Sequence, residues 1–325
     1  MKSSAALVLL STVFLASCAA SPPEPEQDSA PAPVAPAVQG PEIVVSNSIL
    51  GSVVSDIVEC AIGDSRSVTV LMPLGTDPHD FQPSSEQVAT MVRAEVVVAN
   101  GLGLETGLEG GLQAAREDGA LVLELAPLVD PLEWSEIGEH DHEGHDHGSE
   151  EFDPHFWMDM SRMALAAGIL GDTLAEVTGD DTYAECGVQV GGGINDAEAD
   201  VIEVLAVIEP EKRLLVTGHE SLGYFAARYD FEVIGVVIPG GSTLGAPDSQ
   251  ELARLVDVVR DNGVSAIFGN SASNPAVLEA LAQEAGGVDV VELYIESAGP
   301  EGSGAEDYAG MMLENARLIA DALSG

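Results

Sequence analysis

The chain has 325 residues, with 55 acidic against 11 basic side chains and a formal net charge of −44 at pH 7. Such a surface repels nucleic acid and anionic headgroups and attracts cations, which excludes nucleic acid as a partner. An apolar content of 46% supplies real cores, and the length suits two domains of ordinary size. Diffuse acidity also fits simple solubility or a salty habitat, so a cation site has to be sought in particular residues.

Residues 1–18 read as a targeting segment: Lys2, then an apolar run over 5–14 that is too short to span a bilayer. Leu15-Ala16-Ser17-Cys18 has the form of a lipobox, which makes Cys18 the lipid-modified terminus of an extracytoplasmic protein held to the outer face of the cell membrane. An ordinary secretory signal with a chance cysteine is the alternative. Residues 19–40 are rich in Pro, Ala and acid without apolar periodicity, and predict a disordered tether.

From residue 41 strands and helices alternate. The pattern predicts strands at 43–45, 68–71, 95–99 and 121–123, and helices at 49–61, 84–93 and 104–116. Ser84 to Gln87 suits a helix N-cap. Residues 127–152 form a polar loop, within which 136–152 is rich in His and acid, and 161–178 is helical. A connecting helix is expected over about 183–208, ended by Pro210, although Gly191, Gly192 and Gly193 weaken it at about 1 kcal/mol each. The alternation then restarts, with strands at 213–216, 232–238, 266–268 and 288–293 and helices at 221–229, 249–260, 275–284 and 306–323. The reading is an N-terminal α/β lobe over 41–180, a connecting helix over 181–210 and a C-terminal α/β lobe over 211–325. Both lobes are Rossmann-like with parallel sheets, and the cleft between them is the default ligand site.

With Cys18 assigned to the lipobox, Cys60 and Cys186 remain, the count for one disulfide in an oxidising compartment. Cys60 falls near the end of the first helix and Cys186 near the start of the connecting helix, at one end of a parallel lobe. Two free thiols are the alternative.

Five of the seven histidines lie between Glu139 and Asp159. His140, His142, His145 and His147 alternate with acidic residues and glycine, a composition that cannot pack and suits a loose auxiliary metal loop. His155 stands apart in Asp153-Pro154-His155, a tripeptide repeated at Asp77-Pro78-His79. The proline of each fixes the backbone beside the imidazole. His219 and Glu296 each follow a predicted strand. The four positions are 76, 64 and 77 residues apart, two in each lobe, and read as matching places in the two topologies. Three imidazoles and a carboxylate suit four-coordinate Zn²⁺, whereas Mn²⁺ prefers more oxygen ligands.

The phrases PLGTDPHDFQPSSEQVATMVRAEVVVANGLGLE, DPHFWMD, TGHESLGYFAARY and ELYIES with YAGMMLENARLIADAL resemble the zinc/manganese family of ABC-transporter substrate-binding proteins, the ZnuA-like receptors. The resemblance runs from about residue 42 to the C-terminus. It implies two lobes with a rigid connecting helix, a metal between them held by His79, His155, His219 and Glu296, and an ABC permease with its ATPase as partners. His219 and the acidic His-rich loop resemble the zinc branch, since manganese members tend to carry Glu at the third position. The fourth position is commonly Asp, and here it is Glu296. The expectation is therefore a monomeric Zn²⁺ receptor for import. A manganese-type receptor and a surface zinc buffer or adhesin are the alternatives. An enzyme is disfavoured: His219-Glu220 lacks the second histidine of a zincin helix, and four protein ligands leave zinc no place for water.

Overall fold

The computed structural model describes residues 40–134 and 152–324, apart from 241, 246, 248, 273 and 274. Cys18, the tether up to residue 39, and His140, His142, His145 and His147 lie outside the described residues.

Strands β1 (Ile43–Val45), β2 (Val68–Val70), β3 (Val96–Ala99) and β4 (Leu121–Glu124) form a parallel sheet in the order β2-β1-β3-β4. The central strands β1 and β3 are buried at every position, as unbroken Val/Ile runs require when helices cover both faces. Strands β5 (Leu214–His219), β6 (Glu232–Ile238), β7 (Ala266–Asn270) and β8 (Asp289–Leu293) form a second parallel sheet in the order β6-β5-β7-β8. The two sheets share one strand order.

Helices α1 (Ser48–Ile62), α2 (Ser85–Arg93) and α3 (Glu109–Asp118) belong to the first lobe. Helices α4 (Met160–Thr178) and α5 (Thr182–Leu205) stand between the sheets. Helices α6 (Gly223–Tyr229), α7 (Ser249–Asp261), α8 (Ala276–Glu284) and α9 (Tyr308–Leu323) belong to the second lobe. Side chains satisfy free N–H groups where several of these begin. Asn47 accepts from the Leu50 N–H, Asp159 from Ser161 and Asp307 from Gly310. Ser84 and Gln87 make a reciprocal capping box.

Two details differ from the sequence reading or sharpen it. The expected helix over 104–116 begins later, as a 3₁₀ turn at Thr106–Leu108 that leads into α3. Leu102 and its flanking glycines take positive φ, and Glu105 turns inward to accept from the Ser46 hydroxyl (2.6 Å) and the Asn100 N–H (2.8 Å). Leu104 keeps helical spacing but belongs to that loop. The glycines of α5 have a packing reason. A Cβ on Gly187 would lie 2.6 Å from the Ala167 carbonyl of α4, and one on Gly191 2.7 Å from that of Ala164, so α4 and α5 run antiparallel in close contact. Gly192 and Gly193 face open space, and nothing in the packing accounts for them.

One apolar core runs through both lobes, from Val45 and Trp157 through Leu205 to Phe268 and Leu293, with smaller clusters beneath the outer helices of each sheet. A disulfide joins Cys60 of α1 to Cys186 of α5, with Cα atoms 5.8 Å apart. Arg228 of α6 holds Glu198 of α5 through two parallel hydrogen bonds of 2.7 and 2.8 Å. Helix α5 is thereby fixed to α1 on one side and to the second lobe on the other. No helix among the described residues is long and apolar enough to cross a membrane.

Candidate metal centre

Ligands in open α/β sheets bind beyond the carboxyl ends of the strands, and the four expected residues all lie there. His79 is in the loop after β2. His155 comes after β4, beyond an antiparallel bridge between Glu133 and Phe152, and directly before a 3₁₀ turn at Phe156–Met158. His219 is the last residue of β5, and Glu296 closely follows β8. Each lobe supplies two, but not at matching places. His155 and Glu296 both follow the fourth strand of their sheet. His79 follows a second strand, whereas His219 ends a first. The repeated Asp-Pro-His tripeptide is confined to one lobe and is no trace of the repeated sheet.

All four side chains are buried, and one nitrogen or oxygen from each falls within 4.8 Å of the others. Glu296 Oε1 lies 2.9 Å from His219 Nε2, 3.4 Å from His155 Nε2 and 3.9 Å from His79 Nε2. The Nε2 atoms of His79 and His155 are 3.4 Å apart. Four donors about 2.1 Å from one Zn²⁺ in a tetrahedron stand about 3.4 Å from one another, close to these separations. Glu296 Oε2 is buried with no hydrogen-bond partner, an uncompensated acceptor on the carboxylate whose other oxygen meets the imidazoles. Buried acceptors of that kind are costly unless a proton or cation meets them. The donor set therefore fits a divalent ion.

What surrounds the ligands fixes their orientation. Asp153 Oδ1 accepts from the His155 backbone N–H (2.9 Å) and from its ring Nδ1 (2.7 Å), which turns Nε2 into the site, where it becomes a donor to metal once its proton leaves. The Asp153 carbonyl accepts from the Tyr224 hydroxyl, and the Pro154 carbonyl from Asn100 Nδ2, both at 2.9 Å. Trp157 Nε1 donates to the Ile295 carbonyl at 2.8 Å, tying the segment after one ligand to the residue before another. The Tyr308 hydroxyl donates to the Trp157 carbonyl at 2.6 Å. His79 is held differently: its backbone N–H donates to Asp77 Oδ1 at 2.9 Å.

The electrostatics follow from this packing. Burial opposes charge on His155, but the Asp153 and Glu296 carboxylates outweigh it and lift its pKa to about 10. Burial pushes His219 down, in spite of its contact with Glu296. Burial alone would raise Glu296, yet the charge on His155 and the imidazoles gathered around its carboxylate hold it well below the usual carboxylate range. A proton on His155 thus stands where a metal ion's charge would otherwise be.

Sequence reasoning located His79, His155, His219 and Glu296, but took proline as the constraint in Asp-Pro-His. The aspartate two positions before each histidine grips its backbone N–H, and that Asx turn is the local signal that could have identified it. Tyr224, Asn100 and Trp157 act across long sequence separations and leave no local pattern.

A family model described as "ZnuA: Zinc-uptake complex component A periplasmic" matches residues 43–322. The manganese-binding lipoprotein MntA of Halalkalibacterium halodurans is 28% identical over 289 residues, covering 88% of this chain and 89% of that protein. The zinc-binding protein TroA of Treponema pallidum is 26% identical over 297 residues, covering 89% and 91%. The solved structure of the periplasmic zinc binding protein TroA from Treponema pallidum aligns with a TM-score of 0.74 at 23% identity, over 88% of this chain and 100% of that one, a likeness of fold.

Proposed function

The chain belongs to the zinc-uptake component A (ZnuA) family of metal-binding substrate-binding proteins, and on that premise we propose that it is an extracytoplasmic receptor that captures Zn²⁺ and passes it to an ABC permease for import. The observation that carries this reading is the buried convergence of three imidazole nitrogens and one carboxylate oxygen. His79, His155, His219 and Glu296 are the ligands. Zinc accepts such a four-donor set directly, and four protein donors leave no open position for a reactive water, which favours a carrier over a hydrolase.

Capture and release follow from the residues in place. The ion displaces the His155 proton. Asp153 keeps that ring in the tautomer that offers Nε2. Two buried carboxyl groups, Asp153 and Glu296, match the charge of a divalent ion in a site shielded from water. Release then requires the two lobes, or the loops that carry the ligands, to separate. The relatives named as lipoproteins support membrane anchoring through Cys18, which gives the receptor a fixed place beside its permease. We further assign His140, His142, His145 and His147 to a low-affinity collector. Deleting residues 139–150 should lower the number of ions bound and leave the tightest one, and loss of the tight ion would refute that division.

One observation favours a second reading. Glu296 Oε2 is free to join Oε1 as a bidentate ligand, and a fifth donor suits Mn²⁺ better than it suits tetrahedral zinc. Elemental analysis of the purified protein, followed by direct competition between Zn²⁺ and Mn²⁺, separates the two. Preferential retention of zinc supports the first reading, and preferential retention of manganese overturns it.

A further inference from the structure

The two second-strand loops of the sheets meet. The first, after β2, carries Asp77 and His79. The second, after β6, carries Thr243. Asp77 Oδ1 is engaged by the His79 backbone N–H, and Asp77 Oδ2 accepts from the Thr243 hydroxyl at 2.6 Å, across 166 positions of sequence. The same second loop is tied back to another ligand: Gly240, at φ 93°, donates its N–H to Glu220 Oε2 at 2.8 Å, and Glu220 directly follows His219. The loop after β6 therefore bonds at Gly240 to the neighbour of His219 and at Thr243 to the aspartate that holds His79, contacting the surroundings of one ligand of each lobe outside the metal site. The carboxylate of the other Asp-Pro-His tripeptide makes no such link: Asp153 Oδ1 is taken up by its own histidine and Oδ2 is buried without a partner, and it is the Asp153 backbone carbonyl that reaches the second lobe, at Tyr224. Asp77 and Thr243 are only partly buried.

We propose that Thr243 is a positioning residue that latches the second lobe to the His79 loop and slows release of the bound metal ion, an inference that rests on the receptor reading above. Thr243 touches no ligand side chain. Its hydroxyl acts through Asp77, whose other oxygen fixes the backbone of His79. A charge-assisted hydrogen bond formed in the closed state and broken on opening lowers the opening rate, and with it the escape rate of the ion.

The test is stopped-flow release of Zn²⁺ from the full chain into excess chelator, together with the association rate, for the unsubstituted protein, Thr243→Val and Thr243→Ser. Valine keeps the shape and removes the hydroxyl, and serine keeps the hydroxyl. Thr243→Val should release zinc about five- to tenfold faster, the effect of one charge-assisted hydrogen bond at a partly exposed position. Its association rate and metal-free melting temperature should be unchanged, and Thr243→Ser should release zinc at close to the original rate. A merely structural role would lower the melting temperature and would not separate the two rate constants. Tight zinc in the unsubstituted protein with an unchanged release rate in Thr243→Val overturns the latch alone. Absence of any tightly held ion in the unsubstituted protein overturns the receptor reading and the latch together.

Discussion

The two lobes have the same sheet, strand for strand, and use it differently. In the first, β2-β1-β3-β4 places its ligands after the second and fourth strands; in the second, β6-β5-β7-β8 places them at the end of the first and after the fourth. The fourth-strand pair, His155 and Glu296, is the rigid half of the site. It is held by Asp153, by the Trp157 to Ile295 hydrogen bond and by the core that runs through both lobes. Of the remaining pair, His79 lies in a loop and is held through Asp77, while His219 ends β5 beside Glu220, which accepts from the loop after β6. A repeated topology therefore supplies positions, while local chemistry decides which of them become ligands. It also divides the site into a pair tied through the core and a pair tied through loop contacts.

Substitutions should reveal that division. The largest loss is expected for His155→Ala, which removes a donor and the ring that Asp153 Oδ1 holds. Zinc affinity should fall at least about a thousandfold by competition titration, roughly a quarter of the free energy of a four-ligand zinc site. A fall of less than tenfold would remove His155 from the ligand set. Asp153→Asn should cost about 10- to 100-fold, the usual effect of losing the group behind a ligating histidine. Asp77→Asn, at a partly buried carboxylate that holds His79 by its backbone alone, should cost much less, and equal losses at the two aspartates would break the contrast between the halves.

The pH dependence comes next. His155 in the metal-free protein has its pKa lifted to about 10, above its unfolded value of about 6.5, while His219 is pushed down and, neutral already, has no net proton to release. Protonated His155 therefore stabilises the metal-free fold fully below about pH 6.5, and that contribution is lost as pH rises towards 10. Metal binding has the opposite sign: apparent affinity should rise up to tenfold per pH unit across this window. Calorimetry in buffers of different ionisation enthalpy at pH 7.5 should find about one proton released from His155 per ion. No proton release would show that His155 does not hold the charge assigned to it.

The smallest effect on binding is expected from the disulfide. The cross-link spans 126 positions and contributes roughly 4 kcal/mol through the unfolded chain. Cys60→Ser with Cys186→Ser should lower the melting temperature clearly and change zinc affinity less than twofold, because the bond ties α1 to α5 away from the ligands. A large loss of affinity would mean that the backbone pair α4–α5 sets the ligand geometry.

Much of this was legible in the sequence, for identifiable reasons. Buried parallel strands are short Val/Ile runs, so EVVVA and its counterparts announce themselves, and the ligands stand in local motifs at strand ends. The Asp-Pro-His repeat marked His79 and His155, whereas the spacing of the four positions, two in each lobe, suggested matching places that the topology does not have. Helix α5 was readable despite its glycines, although their purpose at Gly187 and Gly191 becomes visible only once α4 lies against them. Thr243 and the Trp157 to Ile295 bond were not legible, because each pairs residues more than a hundred positions apart with ordinary local sequence.

The central claim is that the cargo sits between the lobes on His79, His155, His219 and Glu296. Anomalous diffraction at the zinc absorption edge, from crystals of the zinc-loaded protein, tests it most directly. The account predicts one strong peak about 2.0–2.2 Å from the three Nε2 atoms and from Glu296 Oε1. A fully occupied zinc peak elsewhere, with these four side chains still in contact only with one another, would contradict it.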